Sequence, residues 1–263
     1  MMETIYTAQG EPIITTTDYY VKGIAHRGFS SIAPENTLPA YILAKKKGFR
    51  FVETDVSFTS DGVAVCLHDA TIDRTSNGTG NISSMTWAQV QQYDFGSWKS
   101  AEYAGTKIPS LSQFLDLCRD IELHPYIELK YTANYTELQV QGLVAIVASK
   151  GMAGKVTWIS FDETYLGYVK AADPTARLGF ISRSTTASDI NKAVALKTTS
   201  NEVFFDTEQT SLSAVSAVKA GGLPMEVWTI DSEASIIALD SYITGVTSNS
   251  LVASKVLYDN AMS

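Results

Sequence analysis

The 263-residue chain is poor in cysteine, in long apolar runs and in positive charge. Its two cysteines, Cys66 and Cys118, have apolar neighbours, so we expect two buried free thiols and no disulfide framework. No stretch reaches the roughly 20 apolar residues that a membrane helix needs. Lys and Arg together number 20 against 28 Asp and Glu, which gives a formal net charge of −8. This charge argues against nucleic acid or an anionic membrane surface as a partner.

The first 20 residues are polar and rich in threonine, and they have neither the basic nor the apolar segment of a secretory signal. We expect them to add an edge strand or an arm to a single domain spanning residues 21–263. A composition of 45% hydrophobic and 18% charged residues is sufficient for one large core. As written, the sequence favours a cytoplasmic protein; an extracellular or cell-surface location stays open if the chain is a trimmed module.

The first group of polar residues that could take part in catalysis or binding follows the apolar run 21–25. This run predicts a buried strand that ends in His26, Arg27 and Gly28. A histidine can move a proton near neutral pH, and an arginine can hold phosphate oxygens in a fork. Taken alone, the three residues fit the solvated end of a strand better than a site. The interpretation as a site therefore depends on partners elsewhere in the chain.

A second predicted strand, 51–56, alternates so that Glu53 and Asp55 share one face. Two neighbouring carboxylates on a buried strand repel each other unless a cation lies between them. A divalent ion with oxygen ligands meets that need. The turn signal at 60–62 then predicts a hairpin, whose returning arm brings His68 close to the two carboxylates.

A third predicted strand, 125–130, places Glu128 and Lys130 on one face. Together with the two earlier groups, this makes a set of two histidines, three carboxylates, one arginine and one lysine at strand ends. Such a set suits a phosphate diester and a metal ion. The third histidine, His124, precedes the strand at its entry end, and we expect it to be structural.

Strands and helices then alternate to the end of the chain. The predicted strands are 156–161, 177–181, 203–206, 225–230 and 243–248, and the predicted helices are 137–150, 163–172, 188–196, 212–220 and 233–239. With the three earlier strands, this pattern predicts a (β/α)8 TIM barrel, an α/β fold in which the hairpin is an excursion from the second unit. Such barrels carry their active sites on the loops that follow the strands.

A small insertion, at about 70–108, separates the hairpin from the next helix, and a segment of this length is expected to fold over something. Its aromatic residues are Trp87, Tyr93, Phe95 and Trp98. We favour the interpretation that they form a small core of the insertion itself, although they are also suited to lining a substrate wall.

Between residues 23 and 130, a series of short motifs occurs in a fixed order. The motifs are His26-Arg27-Gly28, Pro34-Glu35-Asn36-Thr37, Glu53-x-Asp55, Asp61-Gly62, His68-Asp69, Asp73-Arg74-Thr75, Ile108-Pro109-Ser110-Leu111 and Glu128-Leu129-Lys130. In this order and spacing they resemble the glycerophosphodiester phosphodiesterase family. Beyond Lys130 the resemblance is weaker and rests on Ser160-Phe161 and Val227-Trp228-Thr229.

The resemblance implies hydrolysis of a glycerophosphodiester to an alcohol and sn-glycerol 3-phosphate. The expected cofactor is one divalent cation, Ca²⁺ or Mg²⁺, with Glu53, Asp55 and Glu128 as ligands. The expected partner is a small phosphodiester, and the oligomeric state stays open.

The resemblance also implies roles for the remaining residues of the site. His26 is expected to act as base and His68 as acid, although the sequence by itself leaves their order open. Arg27 and Lys130 are expected to hold the phosphate. Trp228 is expected either to stack on the carbon skeleton of the substrate or only to pack.

The sequence departs from the family pattern at two places. Asp231 stands where asparagine is usual, and the last strand reads Gly-Val-Thr-Ser-Asn over 245–249 where an Ile-Thr-Asp type of ending is common. Recognition of the head group therefore stays open. A lysophospholipid or a glycerol-phosphate polymer such as teichoic acid is an alternative substrate. A catalytically inactive glycerol-phosphate binding module and a purely structural barrel are the alternatives to an enzyme.

Overall fold

The structure, a computed structural model, describes residues 4–6, 12–14 and 21–262. The strands are β1 (Thr4–Tyr6), β2 (Pro12–Ile14), β3 (Lys22–Ala25), β4 (Phe51–Phe58), β5 (Ala64–Cys66), β6 (His124–Leu129), β7 (Thr157–Ser160), β8 (Arg177–Ser182), β9 (Val203–Thr207), β10 (Met225–Val227) and β11 (Ile243–Ser248). The strands β3, β4 and β6 to β11 are parallel, and β3 pairs with both β4 and β11, which closes the sheet into a barrel. The predicted (β/α)8 TIM barrel is confirmed.

Helices follow the strands on the outside of the barrel, except that the short α2 lies in the insertion. They are α1 (Leu38–Lys46), α2 (Trp87–Val90), α3 (Leu111–Asp120), α4 (Glu137–Ser149), α5 (Glu163–Ala172), α6 (Ala187–Leu196), α7 (Leu212–Ala220), α8 (Glu233–Ile237) and α9 (Ala253–Met262). At α3, for example, the Ser110 hydroxyl accepts from the backbone N–H of Gln113 while the Gln113 side chain accepts from the backbone N–H of Ser110. This capping box satisfies donors that a helix start leaves free.

The predicted strands and helices agree with the structure to within two residues, with one exception. The predicted strand 225–230 ends three residues early, at Val227. Trp228 still donates its backbone N–H to Thr207 at 3.2 Å, but its side chain lies in the cavity at the end of the barrel. The helices α2 and α9 were not predicted. The strand β5 pairs antiparallel with β4, as the turn signal at 60–62 predicts.

Three further expectations concern residues outside the barrel wall. In the N-terminal extension, β1 and β2 pair with each other, and the other residues before 21 lie outside the described residues. Both cysteines, Cys66 and Cys118, are buried and free, as expected. Among the described residues, no helix combines the length and the apolar character needed to cross a membrane.

The insertion has a small hydrophobic core of its own, as predicted. Phe95 is buried there, and Trp87 and Tyr93 pack against the same cluster. Trp98 is instead 38% exposed and donates its indole N–H to the backbone oxygen of Phe95. None of these four aromatic residues lines the cavity at the barrel end that is described below. The interpretation as a substrate wall is therefore wrong for them.

The amino-terminal end of the barrel is closed by a buried ion network around Glu226. Oε1 of Glu226 lies 2.9 Å from Nζ of Lys22 and 2.8 Å from Nη2 of Arg177, and it accepts from the Tyr126 hydroxyl at 3.3 Å. His124 lies at the same end and pairs with the hydroxyl of Thr157 at 2.9 Å. The network holds the starts of several strands together, far from their carboxyl ends.

We expect Glu226→Gln to lower the free energy of unfolding by about 3 kcal/mol, because it removes the buried counter-charge of Lys22 and leaves Arg177 with only an exposed partner. Urea unfolding would measure the change. The matched control is Glu202→Gln, since Glu202 pairs with the same Arg177 at 3.1 Å but its side chain is 58% exposed. This control should cost less than about 1 kcal/mol. Equal losses in the two variants would contradict a stabilising role for the buried network.

Candidate active site

Three buried carboxylates meet where β4 and β6 run side by side. Glu53 and Asp55 project from β4, and Glu128 on β6 lies directly beside Asp55 in the ladder. One carboxylate oxygen from each residue lies within 4.8 Å of the others. The alternation of β4 explains the arrangement, because Val52 and Val56 point to the opposite face and belong to the large outer core. The predicted shared face of the two carboxylates is confirmed.

Two cationic side chains flank this carboxylate cluster. Nζ of Lys130 lies 2.9 Å from Oε1 of Glu128 and 3.3 Å from Oδ1 of Asp55, and Nε of Arg27 lies 3.3 Å from Oδ2 of Asp55. Burial alone would raise the pKa of Asp55, but Arg27 and Lys130 outweigh it and hold that pKa well below its usual value. Burial and the neighbouring Asp55 raise the pKa of Glu128 to about 7.

Glu53 shows that the cluster fits a further positive charge. Its Oε2 accepts from the backbone N–H of Arg27 at 2.8 Å, but its buried Oε1 has no hydrogen-bond partner among the described residues. Burial, with Asp55 and Glu128 alongside, raises the pKa of Glu53 well above its usual value. Three converging carboxylate oxygens, one of them unpartnered, fit a divalent cation that prefers oxygen ligands.

The turn after β3 places His26 and Arg27 beside this cluster. Arg27 and Gly28 both have positive φ, 56° and 82°, and a side chain at Gly28 would place Cβ 2.7 Å from backbone and side-chain carbons of Ala40. Only glycine fits at that point. Asn36 donates a hydrogen bond from its Nδ2 to Oδ2 of Asp55 at 2.8 Å and so helps to hold the loop after β3 against the carboxylate cluster.

His26 is half-buried and is supported from the last barrel strand. Its Nδ1 lies 2.8 Å from Oδ1 of Asn249, which follows β11. Burial and the adjacent Arg27 charge lower the pKa of His26 below 6.5. The imidazole is therefore neutral at neutral pH, as a general base must be.

His68 is supported differently, by a carboxylate. Its Nδ1 lies 2.5 Å from Oδ1 of Asp69, and Oδ2 of Asp69 accepts from Nε of Arg74 at 2.7 Å. Arg74 also pairs with Glu35 at 2.7 Å, and Glu35 pairs with Arg27 at 2.8 Å. The hydrogen bond from Arg74 is the largest influence that lowers the pKa of Asp69 to about 2. A continuous line of ion pairs thus joins the two histidine-bearing loops.

A cavity of about 490 Å³ opens between the two histidines. Its lining includes seven of the residues predicted from the sequence: His26, Arg27, Glu53, His68, Glu128, Lys130 and Trp228. The eighth, Asp55, is buried beneath them and contacts both cations. His124 is at the other end of the barrel, as expected for a structural residue. The structure therefore brings together the whole predicted set.

The wall of the cavity away from the carboxylate cluster is aromatic and has two unpartnered polar atoms. Trp228 packs edge-on against Phe161 with ring centroids 5.7 Å apart, and the guanidinium of Arg183 lies 5.2 Å from the Trp228 ring. The indole Nε1 of Trp228 and Oδ1 of Asp206 have no hydrogen-bond partner among the described residues. Burial and the charges of Glu226 and Glu128 raise the pKa of Asp206 well above its usual value.

Sequence reasoning missed several supporting residues. Asp69 directly follows His68 in a quoted motif, so adjacency was an available signal. Asn249 is 223 residues from His26, and only the closure of the barrel between β3 and β11 brings them together. Asp231 and the segment 245–249 are the two departures from the family pattern. They contact each other in the structure, where Oδ1 of Asp231 accepts from the backbone N–H of Asn249 at 2.7 Å.

The barrel, the two histidines and the buried acidic cluster define the class of the protein: a (β/α)8 barrel whose strand ends carry a set of acidic, cationic and imidazole groups that suits phosphodiester chemistry. Residues 26–252 match the Glycerophosphoryl diester phosphodiesterase family. The chain belongs to that family.

Relatives in sequence and in structure agree with this assignment. A protein of Mycobacterium tuberculosis named "Probable glycerophosphodiester phosphodiesterase 1" is 34% identical over 184 residues, which span 63% of this chain and 66% of that relative. The glycerophosphodiester phosphodiesterase of Caldanaerobacter subterraneus is 29% identical over 208 residues, 79% of this chain and 85% of the relative. A phosphodiesterase of Oleispira antarctica, solved with the product sn-glycerol-3-phosphate, is 26% identical with a TM-score of 0.78 and covers 93% and 98% of the two chains.

Proposed function

We propose that the protein hydrolyses glycerophosphodiesters to an alcohol and sn-glycerol 3-phosphate, with one divalent cation as cofactor. The observation that carries the proposal is that two histidines face one cavity from separate loops, with an acidic cluster and two cations between them. The sn-glycerol-3-phosphate bound to the Oleispira relative supports the glycerol side of the substrate.

Arg27 and Lys130 bind the phosphate of the substrate. Both are largely buried, with 17% and 9% of their side chains exposed, and both are fixed by contacts with Asp55. Cations held rigidly before the substrate arrives stabilise charge that develops on the phosphoryl oxygens without further reorganisation. Trp228 lies opposite and offers an apolar ring with one free N–H to the carbon skeleton of the substrate.

His26 takes the proton of the attacking hydroxyl as its oxygen forms a bond to phosphorus. The bond from phosphorus to the departing alcohol breaks, and His68 gives that alcohol a proton. The surroundings support this division, because a neutral amide faces His26 whereas the carboxylate of Asp69 is the partner that a protonated imidazole needs. If a glycerol hydroxyl attacks first, water completes the reaction in a second step with the two roles reversed.

Ca²⁺ or Mg²⁺ is the cofactor that the acidic cluster fits, with Glu53, Asp55 and Glu128 as its protein ligands. When bound, it supplies Lewis-acid stabilisation of phosphoryl charge. Lys130 and Arg27 already balance part of the carboxylate charge, so a single ion suffices.

An extended substrate is the second candidate. A neighbouring cavity of about 430 Å³ shares Tyr131, Phe161 and Arg183 with the rim of the first. This space continues outward from the phosphate site and has room for a longer alcohol, such as the next unit of a glycerol-phosphate polymer or the body of a lysophospholipid.

The deciding experiment measures release of sn-glycerol 3-phosphate from glycerophosphocholine and from glycerophosphoglycerol, with Ca²⁺, Mg²⁺ or a chelator. We expect release that requires a divalent cation and is lost in His68→Ala. If both compounds stay intact under every cation, glycerol-phosphate polymer and lysophospholipid are tested next. Failure with all four substrates would refute the hydrolytic function and favour a binding module.

A further inference from the structure

We infer that Asp231 is a positioning residue: through Asn249 it fixes the tautomer of His26, so that Nε2 is the atom that accepts the proton. The inference rests on the proposed function for its consequence, but its central claim concerns the state of an imidazole. Neither Asp231 nor Asn249 lines the cavity.

A short chain of hydrogen bonds joins the three residues. Oδ1 of Asp231 accepts from the backbone N–H of Asn249 and from the hydroxyl of Ser248, both at 2.7 Å. Oδ2 of Asp231 accepts from Nδ2 of Asn249. On the other side, Oδ1 of Asn249 lies 2.8 Å from Nδ1 of His26 and accepts from the Ser30 hydroxyl at 2.9 Å.

The chemistry of the carboxylate determines the direction of every bond in this chain. An asparagine side chain has nearly the same shape either way round, so its orientation follows from its partners. The ionised carboxylate of Asp231 only accepts, so the group of Asn249 that faces it must be the NH2. The amide oxygen therefore faces His26, and an oxygen of this kind only accepts. Nδ1 of His26 must carry the N–H, which leaves the lone pair of the neutral ring on Nε2.

This matters because the neutral form of His26 is the working one. The charged groups that act on its ring are Arg27, Asp55 and Glu35, with Asp231 behind Asn249. A general base must present its lone pair to the reacting group, and a ring in the other tautomer presents an N–H instead. The backbone of β3 and β11 places the ring, but only the hydrogen bonds choose which nitrogen is protonated.

Asp231→Asn is expected to reverse the direction of the hydrogen bonds from residue 231 through Asn249 to His26. Ser248 and the backbone N–H of residue 249 donate to the oxygen of the new amide, so its NH2 faces Asn249. Asn249 then turns its oxygen toward position 231 and its NH2 toward His26. Nδ1 becomes the acceptor, and the proton moves to Nε2.

Nitrogen-15 NMR of the full chain labelled in its histidine rings measures the tautomer directly, above pH 6.5 and without added metal. His26→Ala assigns the signals. We expect a protonated Nδ1 in the parent and a protonated Nε2 in Asp231→Asn, with the rings of His68 and His124 unchanged as the sign of an intact fold. With the divalent cation added, kcat of Asp231→Asn should fall by about 10²-fold or more while KM changes little, because the variant loses base catalysis.

Two further variants separate the tautomer from simple structural support. Combining Asp231→Asn with Asn249→Asp puts the carboxylate next to His26, where it accepts from Nδ1. This double variant should regain a protonated Nδ1 and most of kcat, with the acid limb of its pH profile at higher pH because the new neighbour is negative. Ser30→Ala removes a different bond to Oδ1 of Asn249, so it should leave the ring nitrogens as in the parent.

An unchanged His26 signal in Asp231→Asn would overturn the inference, and so would a double variant in which Nδ1 stays unprotonated. If the parent protein hydrolyses none of the tested diesters, the NMR result still decides the tautomer. Failure of the proposed function and failure of this inference are therefore separate outcomes.

Discussion

His26→Ala is expected to lower kcat for glycerophosphodiester hydrolysis by about 10²–10⁴-fold, the usual contribution of one positioned general base. KM should change little, because Arg27 and Lys130 still hold the phosphate. In the parent, the acid limb of kcat/KM should lie below pH 6.5, since burial and Arg27 lower the pKa of His26 and its neutral form persists to lower pH. Steady-state release of sn-glycerol 3-phosphate between pH 4 and 9 measures both effects.

The matched control for this variant is His124→Gln. His124 is the histidine at the opposite end of the barrel, where its Nε2 pairs with Thr157 and a glutamine side chain offers a group at a similar position. It should keep the parent's kcat and pH profile. If His26→Ala retains parental turnover, the base lies elsewhere and the mechanism proposed here is wrong.

Glu53→Gln is expected to abolish stabilisation by divalent cations. A cation present at about 100 times its Kd should stabilise the parent by about 2.7 kcal/mol, which raises Tm by roughly 5–10 °C. The variant loses one ligand charge but keeps the shape of the side chain and an oxygen for the backbone N–H of Arg27. Its Tm with Ca²⁺ or Mg²⁺ should equal its Tm in chelator, and kcat should fall about 10³-fold with the lost charge stabilisation.

The metal-free form of the same variant provides a second reading. Glu53 is crowded by Asp55 and Glu128, so removal of its charge relieves repulsion, and the metal-free Glu53→Gln protein should be no less stable than the metal-free parent. Glu202→Gln, at the far end of the barrel, should show the parental rise in Tm. An equal rise in parent and Glu53→Gln would place the cation away from the acidic cluster.

Much of the site was predictable because its residues come in pairs close together in the chain. The alternation at Glu53 and Asp55 follows from the period of a strand, and the hairpin at 60–62 returns the chain to them within a few residues. The eight strand segments could be counted because each is bounded by helical patterns. The strand that begins at Met225 was predicted too long. The apolar Trp228 and Ile230 are typical strand residues, but they lie beyond the end of β10.

The sequence by itself determined the barrel class, the two histidines, the acidic cluster and its flanking cations, since these depend on local periodicity and on residue chemistry. Only the tertiary structure decided what supports His26, whereas the partner of His68 is its sequence neighbour Asp69. Asn249 and Asp231 reach His26 because β11 closes the barrel against β3, a pairing between opposite ends of the chain. No local pattern specifies such a contact, because it depends on how many strands close the sheet and in what register. The two departures at Asp231 and Asn249 looked unrelated in sequence, and their hydrogen bond in the folded chain makes them a single feature of the site.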